Sequence, residues 1–292
     1  MVRALVGGVK PEARRGISSK HPGRANPDAL AHYQRFVAPL LRRPWPWIFT
    51  GRKHLPTHDS YVVVANHSGL GTVESLLLPD VWAQHLGPDH PIAAMIHPAA
   101  LRAPGLGGLM RAAGCVAATR EGAAWARAHR IPLLLFPGGD HESMRPLWRS
   151  KEVDFDGRKG WIKLARDHRL TIVPMAITGS HVTAPTLGYS KALAYLSGAR
   201  LLGVRRMPLS IAGLIAMIAG FSSAAGQPVT KRALRALLAY DVCFSVPWVP
   251  SRLGFHLLPP LSPEALEADD DIIYDRVRAA IRGVLARRSA SR

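Results

Sequence analysis

Short, continuous apolar runs alternate with longer amphipathic stretches from residue 61 to the end of the chain. Runs of roughly four to eight apolar residues between turn signals predict buried strands, whereas apolar residues at every third or fourth position predict helices. On these criteria strands lie at 61–65, 92–96, 115–118, 133–136, 171–177 and 254–258, and helices at 72–86, 106–113, 121–129, 159–169 and 271–287. This alternation predicts an α/β fold in which helices flank a mixed, mostly parallel sheet.

A different pattern precedes this region. Five apolar residues recur at helical spacing among arginines, namely Leu30, Tyr33, Val37, Leu40 and Leu41. Trp45 and Trp47 follow, and a basic amphipathic helix beside tryptophans is typical of a segment lying in the headgroup layer of a membrane. Residues 28–53 are therefore predicted to contact a membrane, and the alternative is a surface helix packed on the core with ordinary buried tryptophans. Residues 1–27 are predicted to be a flexible basic tail that lacks the features of a secretory signal.

The stretch 207–221 is almost continuously apolar, and no charge occurs from residue 207 to residue 230. A helix of about 15 residues reaches only about 22 Å, less than the roughly 30 Å hydrocarbon core of a bilayer. Pro208 at its start and Gly213 and Gly220 within it favour an interfacial or re-entrant hairpin helix, or a lid. It would belong to an apolar and basic insertion at 185–250, and the alternative is a buried core helix.

Composition narrows the class of protein. With 292 residues, 48% of them hydrophobic and 20% charged, the chain is long and apolar enough for one globular domain with appendages, which excludes disorder throughout. Cys115 and Cys243 are far apart in sequence, so they form neither a disulfide framework nor a cysteine-based metal site. This usage fits a reducing, cytosol-facing location.

The net charge of +18 is unevenly distributed, since residues 1–53 contain eleven Lys and Arg against two acidic residues, a net +9. Basic segments of this kind attract nucleic acid or an anionic lipid surface. The apolar residues beside them favour lipid over nucleic acid. We therefore expect a peripheral protein on the cytoplasmic face of the cell membrane, bound to its anionic surface by charge and shallow insertion.

The first candidate for chemistry follows the predicted strand 61–65. Asn66 and His67 come directly after it, and Glu74 lies in the first turn of the predicted helix. An imidazole can take a proton from a hydroxyl if a carboxylate orients it and stabilises the imidazolium. His67 is thus a candidate general base with Glu74 as its partner, although a lone histidine beside a turn is more often structural.

A second candidate region follows the predicted strand 133–136. Its glycines let backbone N–H groups approach a phosphate or oxyanion, and its flanking arginines can bind phosphate with forked hydrogen bonds. The candidate binding residues here are Arg120, Gly138, Gly139, Asp140, His141, Glu142 and Arg145. The alternatives are solvated surface charges and a plain β–α connection.

The order and spacing of these blocks resemble the glycerophospholipid acyltransferase superfamily, of the lysophosphatidate acyltransferase type. Its Asn-His-x4-Asp signature, its strand ending in arginine, its Phe-Pro-Glu-Gly-Thr-Arg-Ser block and its Val-Pro strand correspond here to Asn66-His67, 114–120, 136–142 and Val173-Pro174. Phe-Pro-Gly-Gly with Glu142, and the stretch 155–165, look more like the diacylglycerol-acyltransferase-like bacterial branch. The resemblance covers about residues 55–180.

The resemblance implies transfer of a fatty acyl group from a thioester, acyl-CoA or acyl-carrier protein, to a hydroxyl of a lysophospholipid or related lipid. Residues 54–292 would form the acyltransferase domain, with Asn66 in the substrate site and with neither a metal nor a further cofactor. Thr72 stands where the family has its aspartate, so Glu74 acts from a Gly-lengthened turn or the partner of His67 is missing. The alternatives are a thioester or ester hydrolase on the same scaffold and a catalytically degenerate membrane-binding protein.

Overall fold

A seven-stranded sheet organises the molecule in the computed structural model, which describes residues 24–87, 90–102, 105–202 and 204–290. The spatial order of its strands is β1-β9-β6-β2-β5-β3-β4. All neighbours in it are parallel except β6 and β9, which confirms the predicted α/β fold with a mixed, mostly parallel sheet. The strands are β1 Trp47–Thr50, β2 Tyr61–Ala65, β3 Ala93–Ile96, β4 Val116–Ala117, β5 Leu133–Leu135, β6 Thr171–Thr178 and β9 Leu253–Leu257, and a separate antiparallel pair is formed by β7 Thr186–Ser190 and β8 Met207–Ser210.

Helices cover both faces of the sheet or connect its strands. They are α1 Pro27–His32, α2 Ala38–Arg42, α3 Thr72–Leu86, α4 Pro98–Arg102, α5 Leu106–Ala112, α6 Arg120–Ala128, α7 Gly139–Ser143, α8 Gly160–Asp167, α9 Lys191–Leu196, α10 Ile211–Ser222, α11 Val229–Cys243 and α12 Asp270–Ala290. A π-helical turn at Tyr33–Val37 joins α1 to α2. Within the described ranges, no helix is both long enough and apolar enough to cross a bilayer.

The central strand β2 divides the core into two layers. Val62 and Val64 face the layer that contains α8 and α12, whereas Val63 and Ala65 face the layer that contains α3. Alternate side chains of a strand point to opposite faces, and a central parallel strand has both faces covered, so every residue of β2 is buried. This burial explains why β2 reads as an unbroken apolar run.

Most of the predicted elements of residues 54–180 are present, with the bounds of β2 matching and α3 beginning at Thr72 as predicted. The prediction missed β1, β7, β8, α9 and α11. The interpretation of 207–221 as one helix was also wrong, because residues 207–210 form β8 and the helix α10 begins at Ile211. The Ser210 hydroxyl accepts a hydrogen bond from the Gly213 N–H at 3.1 Å, and this capping bond ends the strand and starts the helix.

The segment predicted to contact a membrane is partly built into the core. Trp45 is buried and donates a hydrogen bond to the Val249 carbonyl at 2.9 Å, and Trp47 lies in β1, which pairs with β9. The tryptophans of residues 28–53 are thus packing residues, as the alternative interpretation held. Phe36, Val37 and Leu40 remain exposed in this segment. The predicted basic tail lies almost entirely outside the described residues.

The buried carboxylate of Asp80 attaches this N-terminal segment to α3. It accepts hydrogen bonds from Arg42 Nε at 2.8 Å and Nη2 at 2.6 Å, from Gln34 Nε2 at 3.4 Å and from Gln84 Nε2 at 2.9 Å. The Tyr33 hydroxyl donates to the Leu76 carbonyl on the same helix. The N-terminal helices are therefore fixed against α3 along one side.

The predicted insertion at 185–250 forms a layer of its own. It contains β7, β8, α9, α10 and α11 around a small core of Leu193, Ala194, Met207 and Tyr240. The buried Tyr240 hydroxyl donates to the Pro208 carbonyl, which joins α11 to β8. Helices α10 and α11 pack on each other as a hairpin.

Candidate functional site

The site lies where the parallel strands end. The segments that follow β2, β5 and β6 begin with Asn66-His67, Phe136 and Gly179, and the carboxyl ends of parallel strands meet at one edge of a sheet. In open α/β folds ligands bind outside this edge. The topology therefore brings the two candidate regions of the sequence together.

Glu74 contacts His67 directly, as predicted. The His67 Nδ1 is hydrogen-bonded to Glu74 Oε1, and the Ser68 backbone N–H donates to the same oxygen at 3.3 Å. Glu74 is 1% exposed, and its Oε2 has no hydrogen-bond partner within the described part of the chain. A carboxylate that accepts the Nδ1 proton leaves the other ring nitrogen, Nε2, unprotonated and able to act as a base.

A left-handed turn brings Glu74 to the histidine despite the shift of two residues from the family spacing. Gly69, Leu70 and Gly71 have φ values of 56°, 59° and 71° in succession. This conformation costs Leu70 about 1–3 kcal/mol, so the surrounding contacts must hold it. A Cβ at Gly71 would overlap the His67 ring. Thr72, which occupies the aspartate position, instead donates its hydroxyl hydrogen bond to the Ser245 carbonyl at 3.1 Å.

Glu142 supports His67 from the other side, through the backbone. Its Oε2 accepts the His67 N–H at 2.9 Å, its Oε1 accepts the Asp154 N–H at 3.2 Å, and Arg145 Nη1 lies 2.8 Å from Oε1. Glu142 is completely buried, and burial raises the pKa of this carboxyl to about 7 against the opposing charge of Arg145. The prediction that Glu142 contacts substrate is thus wrong for this structure, in which it positions the backbone of His67.

The two glycines of the second region have steric roles. A Cβ at Gly138 would overlap the Glu142 side chain, so Gly138 makes room for the buried carboxylate. Gly139 has φ of 48°, and a Cβ there would lie 2.9 Å from Arg158 Nη1. Both glycines thus shape the turn, although neither is shown to bind an anion.

Arg145 and Asn66 do not reach a ligand. Arg145 is 2% exposed, and its guanidinium is enclosed beside Glu142 and His181 rather than open to a phosphate. Burial and then the charge of Arg145 lower the pKa of His181 to about 4. The Asn66 amide donates to the Ile177 carbonyl at 3.0 Å and accepts the Ile177 N–H at 2.7 Å, so it fastens β2 to β6. Because Asn66 and Arg145 are both buried by these partners, the prediction that they contact substrate is wrong for this structure.

Asp140 and His141 belong to a charged rim. Asp140 pairs with Arg158 at 3.1 Å. The His141 Nε2 lies 2.8 Å from Asp154 Oδ2, and Arg206 donates to its Nδ1 at 3.1 Å, so Nε2 carries the proton. Burial opposes ionisation of Asp154, but the hydrogen bonds from His141 and the Asp156 N–H, together with the charges of His141 and Arg149, outweigh it and lower its pKa.

Arg120 is the predicted phosphate-binding residue that stays exposed. It begins α6, directly after β4, at the same edge of the sheet as His67. Three strand spacings separate β4 from β2, which is about 14 Å. Arg120 can therefore meet a long ligand but not the group that reacts at His67.

An apolar cavity of about 340 Å³ lies between α1, α3, α5 and β3. Phe136 lines it and also contacts His67, with ring centroids 4.6 Å apart. Phe136 thus separates the candidate base from one wall of the cavity by a single side chain. Sequence reasoning missed Phe136 because an aromatic residue at the end of an apolar strand looks like an ordinary core residue.

The contact between the Ser68 and Ser180 hydroxyls, at 2.6 Å, was also missed, since the two serines are 112 positions apart.

Comparisons with known proteins agree with the fold. Residues 47–178 match the family model for Acyltransferase. An uncharacterized protein of Mycobacterium leprae is 28% identical over 205 residues, which are 66% of this chain, and the chain spans about half, 54%, of the length of that relative. The crystal structure of the 1-acyl-sn-glycerophosphate acyltransferase PlsC from Thermotoga maritima is similar with a TM-score of 0.51 and 14% identity, over 89% of this chain and 80% of that one. The last comparison shows a shared fold.

The buried carboxyl of Glu142 predicts a pH dependence of stability. Its pKa is raised from an ordinary 4.5 to about 7, so the folded state holds a proton that the unfolded state has lost between these values. Stability from this group is complete below about pH 4.5 and is lost as the pH rises through about 7. We expect the free energy of unfolding of the wild type to fall by roughly 1–3 kcal/mol between about pH 4.5 and 7 because of this group. Urea unfolding across this pH range should show that the fall is absent in Glu142→Gln.

The matched control for this measurement is Glu152→Gln, because Glu152 is exposed and Arg149 lowers its pKa. That variant should keep the loss of stability seen in the wild type. An identical pH slope in the wild type and Glu142→Gln would show that Arg145 keeps Glu142 ionised, against this account.

Proposed function

Because residues 47–178 belong to the glycerophospholipid acyltransferase superfamily, we propose that the protein transfers a fatty acyl group from an acyl thioester to a lipid hydroxyl. The donor would be acyl-CoA or acyl-carrier protein, and the acceptor a lysophospholipid or related lipid. The observation that carries this proposal is the contact between the His67–Glu74 pair and Phe136, which lines the apolar cavity.

His67 acts as the general base in this mechanism. Its Nε2 takes the proton of the acceptor hydroxyl while that oxygen attacks the thioester carbonyl carbon. The tetrahedral intermediate then expels the thiolate, to which the imidazolium returns the proton, so that an ester and a free thiol result. The hydrogen bond from Nδ1 to Glu74 keeps Nε2 in the basic form.

Glu74 stabilises the imidazolium that forms during the attack. Its carboxylate is shielded from water, so its charge acts on the ring with little screening. The Glu74 Oε2 lacks a hydrogen-bond partner among the described residues, so the His67 ring and the Ser68 N–H are the donors that this carboxylate has there. The aspartate-to-threonine change therefore need not abolish activity, because the left-handed turn supplies a carboxylate from position 74.

The cavity is where we place the acyl chain. Its volume falls within the range of about 300–1,000 Å³ that is usual for ligand pockets. Its lining is mainly aliphatic and aromatic, and helix α3 runs along it from the turn of His67 toward Leu86. An acyl chain can enter tail first and leave its thioester carbonyl beside His67.

Charged residues around the turn that follows β5 suit a phosphorylated substrate. Arg158 and Arg206 lie at the rim with His141, and Arg120 lies further along the same edge of the sheet. Arg120 is the exposed candidate for a phosphate of the acceptor or donor. The similar Thermotoga protein is a 1-acyl-sn-glycerophosphate acyltransferase, which supports a lysophospholipid-type acceptor here. Such acceptors reside in membranes, so we also place this protein at the cytoplasmic face of the cell membrane.

Replacement of His67 tests the function directly. A positioned general base contributes roughly 10²–10⁴-fold to rate, so His67→Ala should lower acyl transfer to a lysophospholipid by at least about 100-fold. Removal of the ring leaves the buried Glu74 carboxylate without its imidazole partner, so the unfolding temperature should fall, and circular dichroism at the assay temperature checks that the variant is still folded. Retention of more than about a tenth of wild-type transfer would exclude His67 as the base.

Glu74→Gln should lower kcat far more than it raises KM for the acyl donor. The amide is similar in size to the carboxylate but cannot stabilise the imidazolium, a loss felt mainly in the transition state. Thr72→Val is the matched control, because Thr72 contacts Ser245 rather than His67. Steady-state kinetics in which Glu74→Gln changed only KM would place Glu74 outside the catalytic step.

Ala83→Phe should shift the preferred donor to shorter acyl chains. Ala83 lines the cavity nine residues beyond Glu74 on α3, which is about 14 Å further along the helix. A larger side chain there would block the far part of the cavity and leave the part beside His67 open. The measurement is kcat/KM across a series of acyl thioesters, with Ala279→Phe on the exposed face of α12 as control. An unchanged chain-length profile would place the acyl chain elsewhere.

A further inference from the structure

Exposed apolar residues are concentrated on the inserted layer. Among the described residues, fourteen of the twenty exposed large hydrophobic residues lie between positions 187 and 248, which is about a fifth of the chain. Soluble proteins rarely expose contiguous apolar surface of more than a few hundred Å², and larger surfaces mark sites for a protein or a membrane. The concentration on one layer therefore indicates a binding surface.

The hairpin of α10 and α11 presents most of this surface. Leu234, Leu238 and Val242 are spaced four residues apart on α11, so they form one stripe, and they are 58%, 57% and 74% exposed. Ile215 and Ile218 of α10 are 57% and 67% exposed. We name the three residues of the α11 stripe the hairpin face, because Ile215 and Ile218 lie on the side of α10 that is turned away from α11.

Helices α10 and α11 are in close contact along one side of each helix. The hairpin face lies on the other side of α11, which is turned away from α10. A Cβ at Gly220 would lie 2.9 Å from the Ala239 Cβ, and one at Gly213 would lie 2.7 Å from the Tyr240 ring. The two helices therefore pack against each other through small residues. The large apolar side chains that face away from this contact are exposed, because no other described part of the chain covers them.

The charge around the hairpin face identifies its partner. Residues 186–252 contain eight Lys and Arg and one acidic residue, Asp241, a net +7. Lys231 and Arg235 are interleaved with the α11 stripe, and the Arg232 guanidinium lies 4.0 Å from the centroid of the Phe221 ring. A second copy of the chain would place these like charges together, whereas an anionic lipid surface complements them. Basic residues beside exposed leucine and isoleucine are typical of helices that lie in the membrane interface.

We infer that the α10–α11 hairpin docks on an anionic phospholipid leaflet, with the hairpin face inserted among the headgroups and Lys231 and Arg235 paired with lipid phosphates. The hairpin, rather than residues 28–53, is the main membrane-binding element. The inference concerns binding alone and does not depend on which acceptor is acylated.

The connection that leaves α11 leads from this surface to the site. The Ser245 carbonyl accepts the Thr72 hydroxyl hydrogen bond at 3.1 Å, and the Trp248 N–H donates to Thr183 O at 3.0 Å. Thr72 follows Gly71, which abuts the His67 ring. Val246 and Trp248 are 46% and 50% exposed on the same connection. Docking of the hairpin therefore holds the neighbourhood of His67 close to the lipid surface.

Vesicle binding by the full chain tests this inference. The triple variant Leu234→Asp, Leu238→Asp, Val242→Asp should bind vesicles of equal parts phosphatidylcholine and phosphatidylglycerol at least about tenfold more weakly than the wild type. The matched control is Ile272→Asp on α12, where an equally exposed apolar residue lies outside the hairpin, and its binding should be unchanged. Lys231→Glu with Arg235→Glu should weaken binding to anionic vesicles and leave the small residual binding to pure phosphatidylcholine unaltered.

Two further measurements report how deeply the protein inserts into the lipid and whether the variants are folded. Brominated lipid should quench the emission of Trp248 in the wild type, and Trp248→Phe should remove that quenched component. The melting temperature and the hydrolysis or transfer of a soluble short-chain thioester should stay near wild type in the hairpin variants, which separates a failure of docking from a failure of the proposed function. Unchanged vesicle binding by the triple variant would overturn the inference. So would a concentration-dependent dimer that the triple variant abolishes, because the hairpin face would then be an interface between copies.

Discussion

The attachment of His67 between two buried carboxylates is the constraint on which the rest of the site depends. Glu74 holds the imidazole through Nδ1, and Glu142 holds the backbone N–H of the same residue. Each carboxylate must be shielded from water to act in this way, and each one requires particular residues around it. Glu142 needs the two backbone N–H donors and Arg145 beside it, and Gly138 must lack a side chain so that the carboxylate fits. Glu74 needs the left-handed turn, and Gly71 must lack a side chain so that the ring can lie against it.

The same constraint explains how this chain departs from the family signature without losing the histidine–carboxylate pair. A lengthened, left-handed turn from Gly69 to Gly71 shifts the carboxylate from position 72 to position 74. Thr72 is then released to bind the Ser245 carbonyl, which attaches the inserted layer beside the site. Catalysis and membrane docking would thus be linked through one turn. Thr72 stands at the position of the aspartate in the signature, and here it contacts the segment that leaves α11.

The elements of the central domain were predictable from sequence because they are covered on both faces or on one regular face. The five buried residues of β2 form an unbroken apolar run, and the pairing of His67 with Glu74 follows from the short connection, residues 66–71, between this strand and helix α3. Strand β1 was not predictable in the same way, since it begins at Trp47 directly after Pro44-Trp45-Pro46, and tryptophans beside a basic amphipathic segment look like membrane anchors. The roles of Asn66 and Arg145 were misjudged for a related reason. An amide or a guanidinium looks the same in sequence whether it faces a ligand or, as here, the Ile177 backbone or a buried carboxylate. Burial by partners far along the chain decides between these roles.

The central claim is that the His67–Glu74 pair transfers an acyl group to a lipid hydroxyl rather than to water. Release of free thiol from an acyl thioester, followed with and without a lysophospholipid in the presence of anionic vesicles, measures this choice directly. The account predicts that thiol release requires the lysophospholipid and matches, mole for mole, the formation of a diacylated product. Thiol release that is equally fast without the acceptor and yields free fatty acid would contradict it and identify a hydrolase. The absence of thiol release under both conditions would contradict it as well, and would leave a lipid-binding protein on an acyltransferase fold.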